Sequence, residues 1–461
     1  MTGGEESKDS QKIAVVGAGM IGCVQAMSLA RRGHQVAVFE KRQDPKEVQY
    51  KEGKSINMAI SDRGFKILDR LGIGDEVKSI SIPMHGRMIH QADQTLVSQA
   101  YGKEGQAIYS VSRGDLNKFL IAKTQEEKNV EFHFNERCVD LKLPENEMKF
   151  LSSERKELKT FQFDRIIGAD GAYSSIRSRL QKINRFNYSQ QFLTHGYKEL
   201  TMPAKADGTH AMASNYLHIW PRGEYMFIAL PNQDGTFTCT LFLPFEGDNS
   251  FAELTTPEQL LRFFKDNFPD AIPLLPNLVE SYFGNGPSSL VMISCSPWNY
   301  EDKVMLIGDA AHAIVPFYGQ GMNCGLEDVF VFETMLDQHP DNWEYVFSEF
   351  WKERKKDTDA ILELAVDNFH EMKAKTADPH FLIRKKVEAK MAEKYPKEWI
   401  PLYTRVTFSD KPYSEAKRFG ELQDAIMDEV MRAEGAVENW DQNWVLELAI
   451  QKWHEKSATI S

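Results

Sequence analysis

Residues 12–40 read KIAVVGAGMIGCVQAMSLARRGHQVAVFE, and this stretch decides the fold. One apolar run ends at Gly17, a segment with helical periodicity follows, and a second apolar run ends at Glu40, which predicts strand, tight turn, helix and strand. Gly17 permits the turn, Gly19 lets the backbone approach a pyrophosphate, and Gly22 lets the helix pack closely on the strand. The helix start attracts phosphates, and Glu40 can accept hydrogen bonds from ribose hydroxyls. The pattern therefore predicts a dinucleotide-binding unit.

The composition limits the class of protein. A chain of 461 residues is long enough for two or three domains, and its 42% hydrophobic and 26% charged content is typical of a soluble globular protein. The net charge of −12 argues against a nucleic-acid partner, because phosphate neutralisation requires clustered lysine and arginine. The one dense basic run, KERKK at residues 352–356, is predicted to be the solvated face of a helix.

The cysteines give no sign of a disulfide framework or of a metal site. They are Cys23, Cys138, Cys239, Cys295 and Cys324, an odd number without any CxxC pair, so we predict reduced thiols and no bound metal. The chain has no apolar run near 18 residues and no apolar leader-like segment at its start. These features predict a cytoplasmic protein without a membrane-spanning segment.

The order of patterns along the chain predicts an α/β fold with an inserted domain. Strand-to-turn motifs recur in FDRIIGADG at residues 163–171 and in VMLIGD at 304–309, whereas residues 195–245 alternate with the period of antiparallel strands. We predict a discontinuous dinucleotide-binding domain over 1–83, 103–185 and 290–375. A mixed or antiparallel sheet domain is predicted over 84–102 and 186–289, and a helical C-terminal region over 376–461.

The three glycine and aspartate motifs, in this order, resemble those of the FAD-dependent aromatic hydroxylases. This resemblance implies a glutathione-reductase-type FAD-binding domain that holds FAD non-covalently. No second GxGxxG follows a strand, so NADPH is expected to dock transiently as co-substrate. The amides at the start of the helix near Gly321 would stabilise negative charge on the reduced flavin. Carried over by position, the FAD residues are Gly17, Gly19, Gly22, Glu40, Arg113, Asp170, Asp309, Gly319, Gly321, Met322 and Asn323.

Longer motifs narrow the resemblance to the members of this family that hydroxylate L-kynurenine. These motifs are INMAISDRG (56–64), GRMIH (86–90), YLHIWPRGEYMFIALPN (216–232), PFYGQGMNCGLED (316–328) and WIPLYTRVTFS (399–409). The implied reaction uses NADPH and dioxygen to hydroxylate the 3-position through a flavin hydroperoxide, without a catalytic side chain.

The implied substrate is an aromatic amine with a zwitterionic tail, whose buried carboxylate requires a partner such as a bidentate arginine. The resemblance places Arg87, Tyr101, Asn368 and Tyr403 at the tail. It places Ile219, Phe237, Pro316, Phe317 and Gln320 around the ring. Taken alone, Arg87 would instead be interpreted as an exposed hairpin residue in a surface ion pair.

Two alternatives remain open from the sequence. The chain could hydroxylate another aromatic acid, since Arg87 would serve any carboxylate, or it could be a flavin-binding regulatory module that does not hydroxylate. Intact Asp170, Asp309 and Gly321 argue against the module. His312 is interpreted as a structural histidine rather than a general base, and the role of Tyr318 is left open. A monomer or a homodimer is expected.

Overall fold

The computed structural model describes residues 10–47, 56–102, 105–374 and 379–458. Its strands are, in chain order, β1 (Lys12–Val16), β2 (Gln35–Phe39), β3 (Asn57–Ile60), β4 (Ile82–Met84), β5 (Gly86–His90), β6 (Leu96–Ala100), β7 (Ile108–Ser112), β8 (Val130–His133), β9 (Glu136–Lys142), β10 (Glu147–Ser152), β11 (Leu158–Gln162), β12 (Arg165–Gly168), β13 (Asn187–Met202), β14 (Tyr216–Arg222), β15 (Tyr225–Pro231), β16 (Phe237–Pro244), β17 (Ser288–Ser296), β18 (Asn299–Tyr300) and β19 (Val304–Leu306). Its α-helices are α1 (Met20–Arg31), α2 (Asp62–Arg70), α3 (Gly74–Ser79), α4 (Arg113–Gln125), α5 (Ser175–Leu180), α6 (Pro257–Asn267), α7 (Leu278–Gly284), α8 (Gly321–Gln338), α9 (Trp343–Ala374), α10 (Pro379–Lys394), α11 (Leu402–Phe408), α12 (Tyr413–Met431) and α13 (Asn443–Ser457).

A six-stranded sheet in the order β18-β19-β12-β1-β2-β8 forms the centre of the molecule, and β1, α1 and β2 confirm the predicted strand, helix and strand. Val16 is paired in parallel register with Phe39 on one side and with Gly168 on the other. Gly168 is paired in turn with Leu306. The three glycine and aspartate motifs therefore follow the carboxyl ends of adjacent strands, where α/β sheets bind ligands.

The apolar runs of the first stretch explain this arrangement. Ile13, Ala14 and Val15 have no exposed surface, as expected for a parallel strand covered on both faces. Helix α1 contributes Val24 and Met27 to the same core, and α8 and α9 also pack against it. Burial on both faces, rather than strand alternation, is what the continuous apolar sequence dictates.

The second large sheet is seven-stranded and mixed, in the order β17-β13-β16-β15-β14-β5-β6. Strand β14 runs parallel to β5, and the other neighbouring pairs are antiparallel. One face packs on a core with α6 and α7, and the other faces α9 and α11. The predicted boundary at 290 falls inside β17, and those at 103 and 376 lie outside the described residues. Two three-stranded sheets, β11-β10-β9 and β3-β7-β4, complete the strands that the structure describes.

The end of the described chain is helical, and one expectation about it was wrong. Lys352 and Lys356 of the KERKK run are exposed, as expected, but Arg354 is only 2% exposed and pairs with buried acids of α8. The reason is that α9 packs on α8 along one side, which turns every third or fourth residue inward. Among the described helices, none combines the length and the apolar character that crossing a membrane requires.

Candidate active site

The turn after β1 leaves an open cradle at the edge of the parallel sheet. Gly17 has a φ of +105°, and a Cβ there would lie 2.5 Å from the carbonyl oxygen of Ala169. A Cβ on Gly22 would lie 1.9 Å from the carbonyl oxygen of Gly17. A Cβ on Gly19 would meet nothing within 4 Å. The first two glycines are required by packing, whereas Gly19 borders free space at the start of α1, which fits a pyrophosphate.

Glu40 is fixed at the end of β2 by backbone donors. Its Oε2 accepts a hydrogen bond from the amide of Ala18 at 2.9 Å, and its Oε1 accepts one from the amide of Arg42 at 3.0 Å. Each carboxylate oxygen can accept a second hydrogen bond. Glu40 thus braces the glycine turn and keeps acceptor capacity for a ribose.

Asp170 follows β12 and holds the start of α5. Its Oδ2 accepts hydrogen bonds from the amide and the hydroxyl of Ser175, at 2.6 and 2.7 Å. Its Oδ1 is buried without a partner in the described part of the chain. A buried carboxylate oxygen without a donor is costly, so this atom is suited to accept a hydrogen bond from a bound group.

Asp309 and Arg113 lie near each other at the same edge. Asp309 follows β19, and desolvation raises the pKa of its carboxyl, although the charges of His312 and Arg113 oppose that rise. Arg113 is the first residue of α4, whose cap Ser112 accepts a hydrogen bond from the amide of Asp115. This edge therefore combines the cation of Arg113 with the carboxylates of Glu40, Asp170 and Asp309.

The loop at residues 319–323 is held by the side chain of its last residue, Asn323. Gly319 has a φ of +67° at the end of the short turn Pro316–Tyr318, and Gly321 begins α8. The side-chain amide of Asn323 donates to the carbonyl oxygens of Ala59 and Gly319, and its Oδ1 accepts from the amide of Ser61. Asn323 thus acts through the loop, whereas added Cβ atoms on Gly319 and Gly321 would approach nothing closer than 3.7 Å. Met322 is buried in the core of the parallel sheet.

Arg87, Tyr101 and Tyr403 come together from distant parts of the sequence. The guanidinium of Arg87 lies 4.2 Å from the centre of the Tyr403 ring and 5.4 Å from that of Tyr101, and the two rings stack at 5.3 Å. The Nε of Arg87 and the hydroxyl of Tyr101 are buried without partners in the described part. Burial raises the pKa of Tyr101, so its hydroxyl stays neutral. No described carboxylate lies within 4.0 Å of Arg87, so it presents an uncompensated cation.

Aromatic side chains form an apolar wall beside this cluster. The ring of Phe317 lies 4.7 Å from that of Phe369 and 5.3 Å from that of Phe242, and Ile219 packs in the same cluster. The side-chain amide of Asn368 donates to the carbonyl oxygen of Phe317 at 2.8 Å. Pro316 begins the same turn as Phe317. The wall therefore joins the seven-stranded sheet, the 316–318 turn and α9.

Comparison with known proteins assigns the family. The model of a family described as FAD binding domain matches residues 10–339. A kynurenine 3-monooxygenase of Flavobacterium johnsoniae is 50% identical over 443 residues, which cover 95% of this chain and 99% of the relative. One of Dictyostelium discoideum is 42% identical over 436 residues, covering 92% of this chain and 94% of the relative. The chain belongs to the kynurenine 3-monooxygenase family.

Solved structures show the same fold for this member of the kynurenine 3-monooxygenase family. The tetrameric form of 2-methyl-3-hydroxypyridine-5-carboxylic acid oxygenase superposes with a TM-score of 0.65 at 19% identity, covering 80% of this chain and 95% of that one. PqsL of Pseudomonas aeruginosa, described as a probable FAD-dependent monooxygenase, superposes with a TM-score of 0.63 at 18% identity, covering 79% and 97%. The predicted α/β fold, with an FAD-binding domain, a second sheet and a helical C-terminal region, is confirmed.

The structure corrects the prediction that Phe237 lines the substrate ring, because of the face of the seven-stranded sheet on which this residue lies. Phe237 lies on the opposite face, in the core with Trp220, and its ring is 5.7 Å from that of His218. Alternate residues of a strand point to opposite faces, so Phe242 of the same strand reaches the apolar wall instead. The alternation in TFTCTLFLP at residues 236–244 places Phe237 and Phe242 on opposite faces, but it does not say which face meets the substrate.

Gln320 and Tyr318 extend the site in ways that the sequence did not specify. Gln320 is 2% exposed, and its Oε1 accepts a hydrogen bond from the hydroxyl of Tyr413 at 2.9 Å. The ring of Tyr318 stacks on that of Tyr403 at 5.7 Å, and burial raises its pKa. Tyr318 therefore supports the tyrosine cluster around Arg87. No sequence pattern indicates this role, because the contact joins residues far apart in the chain.

His312 is paired internally in this kynurenine 3-monooxygenase family member. Its Nε2 lies 2.5 Å from the Oδ2 of Asp328, which also accepts from the amide of Gly308. Burial lowers the pKa of His312, but the charges of Asp328 and Cys324 and the hydrogen bonds to them together outweigh burial and raise the pKa to about 10. His312, Cys324 and Asp328 offer ligand atoms within 4.8 Å of one another. However, Asp328 is also bonded to Arg354, so the structure assigns the cluster to internal pairing.

Proposed function

We propose that this protein hydroxylates L-kynurenine at the 3-position, giving 3-hydroxykynurenine, with NADPH and dioxygen as co-substrates. The observation that carries the proposal is the guanidinium of Arg87, which has no described carboxylate as partner and lies beside the stacked rings of Tyr101 and Tyr403 and an apolar wall. An α-amino acid with an aromatic side chain has the complementary charge and shape. The names of the relatives, at 50% and 42% identity, support the same substrate.

Arg87, Tyr101 and Tyr403, called the tail cluster below, would bind and orient the substrate. Arg87 would bind the carboxylate through its two terminal nitrogens, and the hydroxyl of Tyr101 would donate a second, neutral hydrogen bond. Asn368 would act through Phe317, whose carbonyl oxygen it already holds. Orientation of the ring and exclusion of water are thereby achieved without an acid or base side chain.

The edge of the parallel sheet would hold FAD, which supplies the oxygen-transfer chemistry when bound. The open space at Gly19, the free Oδ1 of Asp170 and the accessible loop glycines Gly319 and Gly321 fit its phosphates, its polyol chain and its ring system. Met322 and Asn323 would contribute backbone amides at the start of α8. We propose that FAD is held by the segments predicted as 1–83, 103–185 and 290–375, and the substrate by those predicted as 84–102 and 186–289. Because β17 (Ser288–Ser296) belongs whole to the second sheet, the boundary at 290 moves to 297. The C-terminal region over 376–461 would close the tail site through Tyr403.

The remaining features of the proposal concern co-substrate, compartment and assembly. NADPH would dock transiently, because only one strand-linked GxGxxG occurs in the sequence. A reducing cytoplasmic compartment suits the five cysteines, all buried and free. We propose a monomer or a homodimer, which sedimentation of the FAD-loaded protein would distinguish.

Product analysis tests the reaction directly. The FAD-loaded protein, mixed with NADPH and L-kynurenine in air, should yield 3-hydroxykynurenine with one NADPH consumed per product. D-Kynurenine is the matched control, since it keeps the ring and misplaces the tail. The second candidate function is hydroxylation of another aromatic acid. It is supported by Arg87, because this arginine could bind the carboxylate of any such acid. Turnover of 4-hydroxybenzoate or anthranilate without turnover of L-kynurenine would replace the proposal with that candidate. A protein that binds FAD and hydroxylates none of these would be the regulatory module.

A further inference from the structure

A continuous set of buried charges lies outside the site described above. Arg63 of α2, Glu327 and Asp328 of α8, Arg354 of α9 and His312 are all less than 9% exposed. Glu327 pairs with Arg63 through Oε1 at 2.7 Å and with Arg354 through Oε2 at 3.0 Å. Arg354 also pairs with Asp328 at 2.8 Å. Buried ion pairs contribute little net stability but hold geometry, because breaking one leaves an unpaired charge.

Arg63 makes contacts that the other members do not make. Its Nε donates to the carbonyl oxygen of Val406 at 2.5 Å, and its Nη2 donates to that of Lys411 at 2.5 Å. The last carbonyls of a helix have no partner within the helix, and Val406 lies in the last turn of α11. One guanidinium thus holds both the end of α11 and the connection to α12. No bound group is needed to explain Arg63, since all these partners belong to the chain.

The segment that Arg63 holds also carries a residue of the tail cluster. Tyr403 precedes Val406 by three residues in α11, so the two lie on neighbouring positions of one helix face. The Tyr403 ring contacts the guanidinium of Arg87 at 4.2 Å. The hydroxyl of Thr404 adds a hydrogen bond to the carbonyl oxygen of Tyr101 at 3.1 Å. A shift of α11 would therefore move the ring of Tyr403 away from Arg87.

The same guanidinium is connected through Tyr413 to the loop beside the proposed flavin site. Arg63 lies 4.0 Å over the ring of Tyr413, whose hydroxyl donates to Gln320. Gln320 directly precedes Gly321, the first residue of α8. Asp357 strengthens the attachment, because it accepts hydrogen bonds from the amide and hydroxyl of Ser414.

We propose that Arg63 is a positioning residue that fixes α11 against the tail cluster and so sets the affinity for the amino-acid tail of the substrate. The inference rests on the proposed function for its substrate. Arg63 does not touch the tail cluster itself, and it acts through the carbonyls of Val406 and Lys411. A lysine at this position would keep the charge for Glu327 but lose the planar fork that reaches two carbonyls.

The test compares Arg63→Met, Arg63→Lys and the control Arg70→Met in the FAD-loaded protein. Arg70 lies on the same helix and pairs with Asp337 near the surface, so the control removes an arginine without the buried contacts. We expect Arg63→Met to raise the KM for L-kynurenine by about tenfold, with kcat within about threefold of the wild-type value. Arg63→Lys should recover part of this loss, and Arg70→Met should match the wild type.

Hydrogen exchange of the amides in α11 gives a second readout that does not need turnover. We expect faster exchange in α11 of Arg63→Met and no change in α1 of the same variant. Wild-type KM together with wild-type exchange in α11 would overturn the inference. A fall in kcat in proportion to the loss of FAD, without a change in KM, would also overturn the inference. That result would mean that Arg63 only supports the fold.

Two further outcomes are separated by design. If Arg63→Met does not fold, Arg63→Lys decides, since it keeps the charge for Glu327 and loses the planar fork that reaches the carbonyls of Val406 and Lys411. A wild-type KM together with wild-type exchange in α11 would then overturn the inference. If the wild-type protein does not turn over L-kynurenine, the proposed function fails by itself. The exchange rates of α11 then still decide whether Arg63 positions that helix.

Discussion

Arg87 illustrates how a surface-type residue becomes a binding residue through its surroundings. In a hairpin, an arginine is expected to pair with an exposed acid, which contributes little. Here the guanidinium lies beside two stacked tyrosine rings, its Nε is buried, and no described carboxylate lies within 4.0 Å of it. Such a cation gains more from a substrate carboxylate than it would in water, because the ring faces exclude solvent.

We predict that Arg87→Ala raises the activation free energy that corresponds to kcat/KM for L-kynurenine by about 3–5 kcal/mol, because the substrate carboxylate would lose its partner in a desolvated site. Arg87→Lys should recover only part of the loss, since the planar fork is absent. Steady-state turnover measures both variants, and flavin absorbance should remain at the wild-type level. Near-wild-type kcat/KM in the alanine variant would show that Arg87 does not bind the substrate carboxylate.

His312 gives a prediction on pH. Its folded-state pKa of about 10 lies above the ordinary value of 6.5, so its pairing with Asp328 stabilises the fold fully below about pH 6.5. This contribution is lost as the pH rises through about 10. Asp328 has a lowered pKa and stays ionised over that range.

The free energy of unfolding should therefore differ most between the wild type and His312→Gln at pH 6, and the difference should shrink toward pH 10. Thermal unfolding at several pH values, with FAD in excess, measures it. His339→Gln serves as the control, because His339 is half-buried at the C-terminal cap of α8 and lies outside the cluster of His312 and Asp328. A difference that is independent of pH would show that His312 contributes packing rather than charge.

Single residues also show which features could be predicted from the sequence and which could not. The type and place of Gly17, Gly22 and Glu40 could be predicted, because their roles depend on local backbone geometry. The burial of Arg354 could not, since it depends on which side of α9 meets α8. The side of the sheet that Phe237 faces follows from strand alternation only when the register is known.

At the scale of elements, the glycine turn after β1 separates packing from ligand binding. A Cβ on Gly22 would overlap the carbonyl oxygen of Gly17 at 1.9 Å, whereas a Cβ on Gly19 would enter open space. Substitution of Gly22 is therefore expected to disturb packing, and substitution of Gly19 to disturb ligand binding, although both glycines belong to one motif.

We expect Gly19→Ala to fold normally and to bind FAD on the order of tenfold more weakly, because the added methyl group occupies space reserved for the pyrophosphate. Gly22→Ala should instead lower the thermal midpoint of the protein freed of FAD. Titration with FAD and unfolding without FAD separate the two effects. Gly284→Ala is the matched control, since a Cβ there also meets nothing within 4 Å. Equal FAD affinity in Gly19→Ala and the control would contradict the assignment of the cradle.

The order of elements was predictable only where neighbouring segments pair. The parallel pairing of β1 and β2 follows from a short crossover through α1. The parallel pairing of β5 with β14 joins residues 86–89 to residues 216–219, and no local pattern specifies such a distant partner. The same holds for Tyr403, which the resemblance, and not the periodicity, placed beside Arg87.

At the scale of the whole molecule, the tail cluster and the proposed flavin edge are joined by the C-terminal helices. Helix α12 packs on α9, and α11 packs on both α12 and α2. Tyr413 contacts Gln320, beside the start of α8, while Tyr403 contacts Arg87. Occupation of the tail cluster can therefore bias the loop at 319–323 through α11, α12 and Tyr413.

This connection leads to a prediction on coupling. We expect NADPH oxidation by the FAD-loaded protein to be slow alone and to accelerate by about tenfold or more when L-kynurenine binds, because the substrate favours one arrangement of α11 and of the loop. Stopped-flow absorbance of the flavin under anaerobic conditions measures the reduction step by itself. Aniline is the control ligand, since it offers the aromatic amine without the tail that Arg87 would hold, and it should not accelerate reduction. Equal reduction rates with and without L-kynurenine would mean that the C-terminal helices bind substrate without communicating with the flavin edge.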